Sequence, residues 1–358
     1  MSKAISIIIP TYNERDNITP LIKRIDHALS SYSYEIVFID DDSSDGTAEL
    51  AGVLSSKYPV KVIGRKNKRG LASAVVDGLS HVTSQIIVVM DADLQHPPEL
   101  IPDLLRRVKD GADIAIASRY VKGGGCQGWG LTRRIISKGA IVFAHLFLPS
   151  TRQINDPLSG FFMFHRQVVT HAHLKPIGYK ILLEILMEGE FQNVAEVPYS
   201  FMIRSSGKSK LNAKQQIDYL KHVYSLMKRK GELVRFLKFC AVGLSGVLVN
   251  MGLLWSLTEF VGFPYLISAA FSIESSIMSN FVLNDYFTFP DRRSPKVKSF
   301  LNRLLKFNLV SLAGLGVNMG VLSLLTEVFG VYYLLSNLCG IAVATLWNYL
   351  VNTWWTWK

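Results

Sequence analysis

From residue 236 to its last residue the chain repeats one membrane-length pattern, and that repeat narrows the possible folds more than composition does. Arg235-Phe-Leu-Lys-Phe239 returns as Arg303-Leu-Leu-Lys-Phe307, Val249-Asn-Met-Gly252 as Val317-Asn-Met-Gly320, and Leu257-Thr-Glu259 as Leu325-Thr-Glu327. Asn280, Asn284 and Thr288 return as Asn348, Asn352 and Thr356, each pair 68 residues apart (235 to 303, 280 to 348) with no gap. A register kept over so many positions marks a tandem duplication. Each copy holds two apolar stretches, at residues 236–258 and 264–287, then 304–328 and 331–353. Each reaches the ~20 helical residues that a hydrocarbon core of about 30 Å requires. The spacing predicts four transmembrane helices in two tandem hairpins.

Residues 262–264 and 330–331, the turns inside each copy, hold no Lys or Arg, whereas residues 291–306 between the copies are rich in both. Positive residues stay on the cytoplasmic side. The N-terminal domain and the central loop are therefore expected in the cytoplasm, and two copies of even span number form a parallel repeat. Tyr286, Phe287, Phe289, Trp354, Trp355 and Trp357 fall at the same ends and suit an interfacial aromatic belt. The pairs Asn250/Asn318 and Asn280/Asn348 fit hydrogen bonds between helices or the lining of a substrate path. Glu274 lies mid-span where the other copy has Ala342, so it is either a functional acid or one paired within the bundle.

Up to about Leu226 the chain has another character, with charge, glycine and short apolar runs mixed as in a soluble domain. A mean hydropathy of +0.23 in a chain that is 19% charged describes this mixture. The expected division is a cytoplasmic domain over residues 1–230 and a membrane domain over 231–358. The net charge of +11 would suit nucleic acid, but the basic residues gather beside the apolar stretches (Lys228, Arg229, Lys230, Arg235, Lys238, then Arg292, Arg293, Lys296, Lys298, Arg303, Lys306). That placement faces anionic lipid, and nucleic acid is excluded as a partner. Cys126, Cys240 and Cys339 have no metal or redox spacing and read as small buried hydrophobes. The apolar run at residues 5–9 is too short for a signal core and ends in Pro10, in keeping with a cytoplasmic first domain.

Within that domain, short apolar runs at residues 5–9, 35–39, 60–63, 86–90 and 114–117 alternate with helical patterns at 18–30, 47–56, 70–81 and 98–109. The alternation predicts an α/β fold with a mostly parallel, Rossmann-like sheet. Such sheets bind ligands at the carboxyl ends of their strands. The polar clusters fall there: Thr11-Tyr-Asn-Glu14, Asp40-Asp-Asp42, Asp91-Ala-Asp93 and Ser118-Arg-Tyr120. Asp91 and Asp93, one residue apart after a strand, can approach one divalent cation together, with Gln95 adding a third oxygen. They also fit a solvated turn capping the helix that starts near Pro98. The acidic loop 40–46, with Thr47 as a helix cap, suits ribose hydroxyls or a base amine, because acceptors alone cannot cradle phosphate. Residues 132–149 are basic at first and apolar later, and predict an interfacial amphipathic helix or an ordinary core helix. Ile217, Tyr219, Leu220, Val223, Tyr224 and Met227 form a second such stripe.

Taken together, Pro10-Thr-Tyr-Asn-Glu14, Ile39-Asp-Asp41 with Asp45-Gly-Thr47, Asp91-Ala-Asp93 and Ser118-Arg-Tyr120 resemble the family 2 glycosyltransferases of GT-A fold. Asn155-Asp-Pro-Leu-Ser-Gly-Phe-Phe162 and Arg204-Ser-Ser-Gly-Lys-Ser-Lys210 narrow the resemblance to their dolichyl-phosphate mannosyltransferase branch, over roughly residues 4–230. The duplicated helices are similar to GtrA-like membrane domains. The resemblance implies inverting transfer of mannose from GDP-mannose to dolichyl (polyprenyl) phosphate, giving dolichyl β-D-mannosyl phosphate and GDP for protein glycosylation. It implies that Pro10, Tyr12, Glu14, Ile39 and Asp41 line the nucleoside pocket. Asp91, the Ala92 carbonyl, Asp93 and Gln95 would surround Mg²⁺ or Mn²⁺ and the diphosphate, and Arg119, Arg204 and Lys210 would contact phosphates. Asp91, Asp93 and Arg119 are then the catalytic candidates, with Arg119, Arg133 and Lys210 at the acceptor phosphate. Asp42 stands where relatives commonly carry glycine. The membrane would be the endoplasmic reticulum in a eukaryote and the cell membrane in a prokaryote, and no obligatory protein partner is evident.

Two phosphate-bearing substrates repel unless a metal and Arg or Lys clamps offset their charge. Arg119, Arg133, Arg134, Arg204, Lys208 and Lys210 are at hand, although Arg133 and Arg134 suit a basic membrane-surface helix equally. A phosphate monoester, with a second pKa of about 6, needs no strong general base, and direct attack inverts the anomeric centre. UDP-glucose as donor would leave this chemistry unchanged. A processive polysaccharide synthase is disfavoured because no Gln-x-x-Arg-Trp segment occurs. A lipid-sugar transporter with a regulatory nucleotide-sugar domain is motivated by the parallel repeat and Glu274.

Overall fold

The computed structural model describes residues 4–66, 70–202 and 213–358 and divides into two compact units, Met1–Met227 and Lys228–Lys358. In the first, strands and helices alternate: β1 (Ile5–Thr11), α1 (Arg15–Ala28), β2 (Tyr34–Asp40), α2 (Thr47–Leu54), β3 (Val60–Gly64), α3 (Leu71–Leu79) and β4 (Ile86–Val89). Then come α4 (Ile101–Lys109), β5 (Ile114–Ser118), β6 (Gly125–Cys126), α5 (Leu131–Phe147), β7 (Phe162–His165), α6 (Ile181–Glu188), β8 (Val194–Pro198), β9 (Ser200–Phe201) and α7 (Ala213–Arg229).

Seven strands form one sheet in the order β3-β2-β1-β4-β7-β5-β8. All neighbours are parallel except β7, which runs antiparallel between β4 and β5. This is the mostly parallel sheet expected of the GT-A fold, although the sequence reading had not picked out β7 and β8. All seven residues of β1 are buried because helices cover both faces of the sheet. On one face Ile7 and Ile9 join Ile18, Leu21 and Ile25 of α1 and Leu104 of α4. On the other, Ile8, Val37 and Ile39 join Ala74 and Val75 of α3 and Leu182 and Ile185 of α6. A Cβ on Gly78 would stand 2.7 Å from Ile8 Cγ2, so glycine there lets α3 lie flush on β1.

The second unit is helical: α8 (Glu232–Glu259), α9 (Tyr265–Leu283), α10 (Val297–Ser323) and α11 (Tyr333–Val351). With the π-type turns that extend α9, α10 and α11, the four membrane-length helices cover Glu232–Glu259, Tyr265–Thr288, Val297–Val328 and Tyr333–Thr356. They run longer than their apolar stretches. Much of the basic segment expected as a loop between the copies is the first turns of α10. The two terminal turns repeat in detail, with Thr288 donating to Asn284 and Thr356 to Asn352, each at 2.7 Å.

The core of this unit consists of repeat mates: Phe239 with Phe307, Phe281 with Tyr349, and Phe289 with Trp357. Phe289 and Trp357 stack on each other at 4.4 Å and 13°. The contact of Phe239 with Tyr349 is matched by that of Phe307 with Phe281. Mates that touch one another, and contacts that occur in exchanged pairs, place the copies about a local two-fold axis. Phe289 and Trp357 therefore belong to the core and not to the aromatic belt. Tyr286, Phe287, Trp354 and Trp355 are exposed, as a belt requires. Arg303, expected among the lipid-facing cations, is instead buried in a two-pronged ion pair with Asp285 (2.9 and 3.1 Å), and the Trp357 indole donates to the same carboxylate.

The paired asparagines differ from expectation as well. Among the described residues the amide oxygens of Asn250, Asn280, Asn318 and Asn348 accept no hydrogen bond, and Asn280 and Asn348 wedge against Gly246 and Gly314, where any Cβ would collide with them. Glu274 is exposed on α9 and does not pair within the bundle among the described residues.

Candidate active site

The carboxyl ends of β1, β2, β4 and β5 carry the polar clusters. At the first two, most of the carboxylates are occupied with one another's loops. Asp40 accepts from the Thr11 and Ser43 hydroxyls and from the Ser43 amide. Asp45 accepts from the Arg15 amide and from the amide of Thr47, which starts α2. Asp45 therefore serves the helix start that Thr47 was expected to cap, and the Thr47 hydroxyl accepts from the Glu14 amide. Asp42 has φ +60°, a conformation in which glycine is favoured. Pro10 is buried opposite Ile39 in the ladder, and the Ile39 side chain is fully buried in the core, so Ile39 meets the strand end through its backbone. Tyr12 and Glu14 are half-buried at the rim, and Glu14 accepts from Asn17 at 2.6 Å.

Asp41 has a partner the sequence reading missed. Arg65, immediately beyond β3, is 5% exposed and donates Nε to Asp41 at 2.7 Å. It also reaches Asp77 (3.0 Å), Ser73 (3.2 Å) and the Gly70 carbonyl (3.2 Å). The Gly70 amide donates to the second Asp41 oxygen at 2.8 Å. An arginine directly after a strand end was the only local signal.

Asp91 and Asp93 leave β4 in a strained turn. Leu94, between Asp93 and Gln95, has φ +61°, which is costly for a branched side chain. The Gln95 amide holds Asp93 at 3.1 Å, and the Gln95 side chain donates to the Met202 carbonyl, leaving its oxygen as an acceptor. His96 is 1% exposed among Phe161, Tyr199 and Phe201. Burial pushes its imidazole down to about 4, and its Nδ1 accepts from the Asp91 amide. The ring is thus neutral and brings no charge against the acids. At Gly160 a Cβ would lie 3.2 Å from an Asp91 oxygen, so the loop after Asp156 closes on that acid.

Among the described residues no group of three or more His, Cys, Asp or Glu could hold a metal. Two hard carboxylates, one 29% exposed, nevertheless fit Mg²⁺ or Mn²⁺, ions commonly held by one or two carboxylates while substrate phosphates complete the shell.

Arg119, beyond β5, is 8% exposed and grips Asp156 with Nε and Nη2 at 2.7 Å each, while its backbone amide donates to the same acid. Burial alone would lower its pKa, but the pair with Asp156 raises it above the ordinary value. Its Nη1 makes no hydrogen bond among the described residues. The cation lies 5.5 Å from the Trp129 ring centroid, and Arg133 of α5 lies 4.1 Å over the same ring. Arg119 and Arg133 thus share one indole. Arg204, Lys208 and Lys210 lie outside the described residues.

α5 exposes Leu131, Ile135, Ile136 and Val142. α7 docks one flank by Tyr219, whose hydroxyl donates to the Ala140 carbonyl at 2.6 Å, and leaves Ile217, Leu220 and Tyr224 exposed. Both helices thus leave apolar side chains exposed on one face.

Residues 6–171 match the family model described as glycosyl transferase family 2, and residues 238–357 match that of the GtrA/DPMS transmembrane domain. The chain is 50% identical over 353 residues, 99% of both chains, to a dolichol-phosphate mannosyltransferase of Pyrococcus furiosus. It is 36% identical over 258 residues to that of Saccharomyces cerevisiae, covering 68% of this chain and 95% of the yeast one. A solved glucosyl-3-phosphoglycerate synthase from Mycobacterium tuberculosis is 18% identical, with a TM-score of 0.49 over 64% of this chain and 80% of that one.

Proposed function

The chain belongs to the dolichol-phosphate mannosyltransferases, membrane glycosyltransferases, and from that premise we propose that it transfers mannose from GDP-mannose to a dolichyl or other polyprenyl phosphate, with inversion, releasing GDP. The observation that supports this best is that Asp91 and Asp93, beyond β4, and Arg119, beyond β5, stand at carboxyl ends of one sheet and bear on the same buried rings, Asp93 and Arg119 on His96 and Asp91 and Arg119 on Tyr199. A two-carboxylate site for a cation beside a fixed guanidinium suits two phosphate groups that must approach one another.

In this reading the nucleoside lies against Tyr12, Glu14 and Asp41. Arg65 and the Gly70 amide hold Asp41 in place. A fixed carboxylate suits a base with adjacent N–H donors, as guanine has. Asp91 and Asp93, with the Gln95 oxygen nearby, hold Mg²⁺ or Mn²⁺, which when bound neutralises the diphosphate leaving group. Arg119, kept rigid by Asp156, directs Nη1 to a phosphate, and Arg133, stacked on Trp129, adds a second cation. The acceptor phosphate carries its own nucleophilic oxygen already ionised, so the site's task is alignment. Residues 1–230 act as the cytoplasmic catalytic part, and residues 231–358 anchor it in the membrane.

The test is transfer by purified protein with Mg²⁺ or Mn²⁺, short polyprenyl phosphate and labelled GDP-mannose beside labelled UDP-glucose. Label reaching the organic phase from GDP-mannose alone supports the donor. Label from UDP-glucose alone overturns it and keeps the chemistry.

A further inference from the structure

Lys180 stands just before α6, outside every motif named above. Its Nζ donates to the Leu158 carbonyl at 2.8 Å and lies 4.6 Å over the Tyr179 ring. An ammonium has three donors and accepts nothing. Among the described residues this one has that single hydrogen bond and no carboxylate at ion-pair distance. The charges that act on it are Arg119 and Arg133, of its own sign, and Asp156 and Asp91. Burial first, and then Arg119, push its pKa down to about 8. Asp156 is already gripped by Arg119, and Asp91 belongs to the proposed metal pair. Arg119 is thus matched by Asp156, whereas among the described residues Lys180 has no carboxylate of its own, and a half-buried ammonium in that position calls for an anionic partner. Leu158, which Lys180 holds, lies two residues before Gly160, the residue set against Asp91.

We propose that the Lys180 ammonium binds a phosphate oxygen of the substrates as a third cation beside Arg119 and Arg133. The inference rests on the reaction proposed above. The phosphate comes either from the donor diphosphate or from the lipid acceptor, and the test separates them.

Full-length Lys180→Gln retains a donor for the Leu158 carbonyl without the charge, and Lys180→Arg retains both. The readouts are KM for GDP-mannose and for polyprenyl phosphate, kcat, calorimetric affinity for GDP, and melting temperature. We expect Lys180→Gln to raise one KM roughly tenfold or more, the size of one lost hydrogen bond to a charged group, at unchanged melting temperature. We expect Lys180→Arg to recover most of that loss. A rise confined to polyprenyl phosphate with GDP affinity intact assigns Lys180 to the acceptor; a rise for GDP-mannose with weakened GDP binding assigns it to the donor. Both KM values and GDP affinity within about twofold of wild type would overturn the proposal. So would losses that arginine does not restore, because Lys180 would then only prop the loop. Mannose transfer by the wild-type control separates these outcomes from failure of the reaction reading itself. Lys180→Met, measured in the same way, replaces the glutamine variant should that one not fold.

Discussion

Asp91 and Asp93 should fail differently from Asp156 when altered. Asp91→Asn and Asp93→Asn keep the size of each side chain and remove the charge proposed to hold a divalent cation. Each is expected to lower kcat/KM about a hundredfold or more, a few kcal/mol of lost charge stabilisation, with little change in melting temperature. Full activity in both variants, measured across a Mg²⁺ and Mn²⁺ titration, would remove the metal from the mechanism. Asp156 is fully buried and balances a buried arginine. Asp156→Ala strands Arg119 and is expected to cost about 3–5 kcal/mol of stability, read as a fall in melting temperature. Lys180 adds a pH dependence. The ligand-free ammonium loses its proton near pH 8, while a bound phosphate favours the protonated form, so phosphate-ligand affinity falls as pH rises through about 8. Lys180→Arg should abolish that fall, since an arginine keeps its proton throughout. Asp91-Ala-Asp93 was legible from sequence because a run of apolar residues ends on it. Arg65 and Lys180 were not, and Asp156 stood in a recognised segment without a role, because their meaning lies in partners 24 (Arg65 to Asp41), 22 (Lys180 to Leu158) and 37 (Asp156 to Arg119) residues away.

The helices hold a second buried pair, away from the chemistry. Glu184 of α6 accepts from His222 of α7 at 2.6 Å and from the Lys175 amide at 2.6 Å, with both side chains fully enclosed. One carboxylate thereby fastens α7 and the segment that leads to Lys180. Glu184→Ala leaves both partners without an acceptor, and a melting-temperature fall of roughly 10 °C or more is expected. The faces of α5 and α7 divide in a way that amphipathic spacing alone could not tell. Tyr219 and Val223 face inward, whereas Leu220 and Tyr224, one residue on, face out. Ile135→Ser with Ile136→Ser should leave GDP binding intact and weaken retention of residues 1–230 on lipid vesicles; unchanged retention would assign that face elsewhere. Strand β7 escaped the sequence reading because it enters antiparallel from a distant loop, and four residues give too short a pattern to stand out.

At the scale of the whole chain, the 68-residue repeat was legible to the residue, but the roles of the repeated positions were not. Phe289 and Trp357 read as lipid-facing aromatics until their mutual stacking is seen, and Asn280, Asn318 and Asn348 read only as hydrogen-bonding groups until the glycines opposite them are seen. Trp357→Ala should remove about 3–5 kcal/mol of packing from the helical unit, measured as earlier unfolding in detergent.

Fusion of the two copies has let the seam between them become unequal. The first copy supplies Asp285, and the second has Thr353 in its place. The second supplies the indole that donates to Asp285, where the first has only a phenyl ring. Glu232, which meets Tyr349, corresponds to Phe300 against Phe281. Two first hairpins joined to each other would bring two acids to the axis and no indole, and two second hairpins would bring two indoles and no acid. The present halves are therefore obligate opposites. A chain cut at the central loop should re-form its seam only from one of each, and the sum of its parts would be a heterodimer and never a pair of twins.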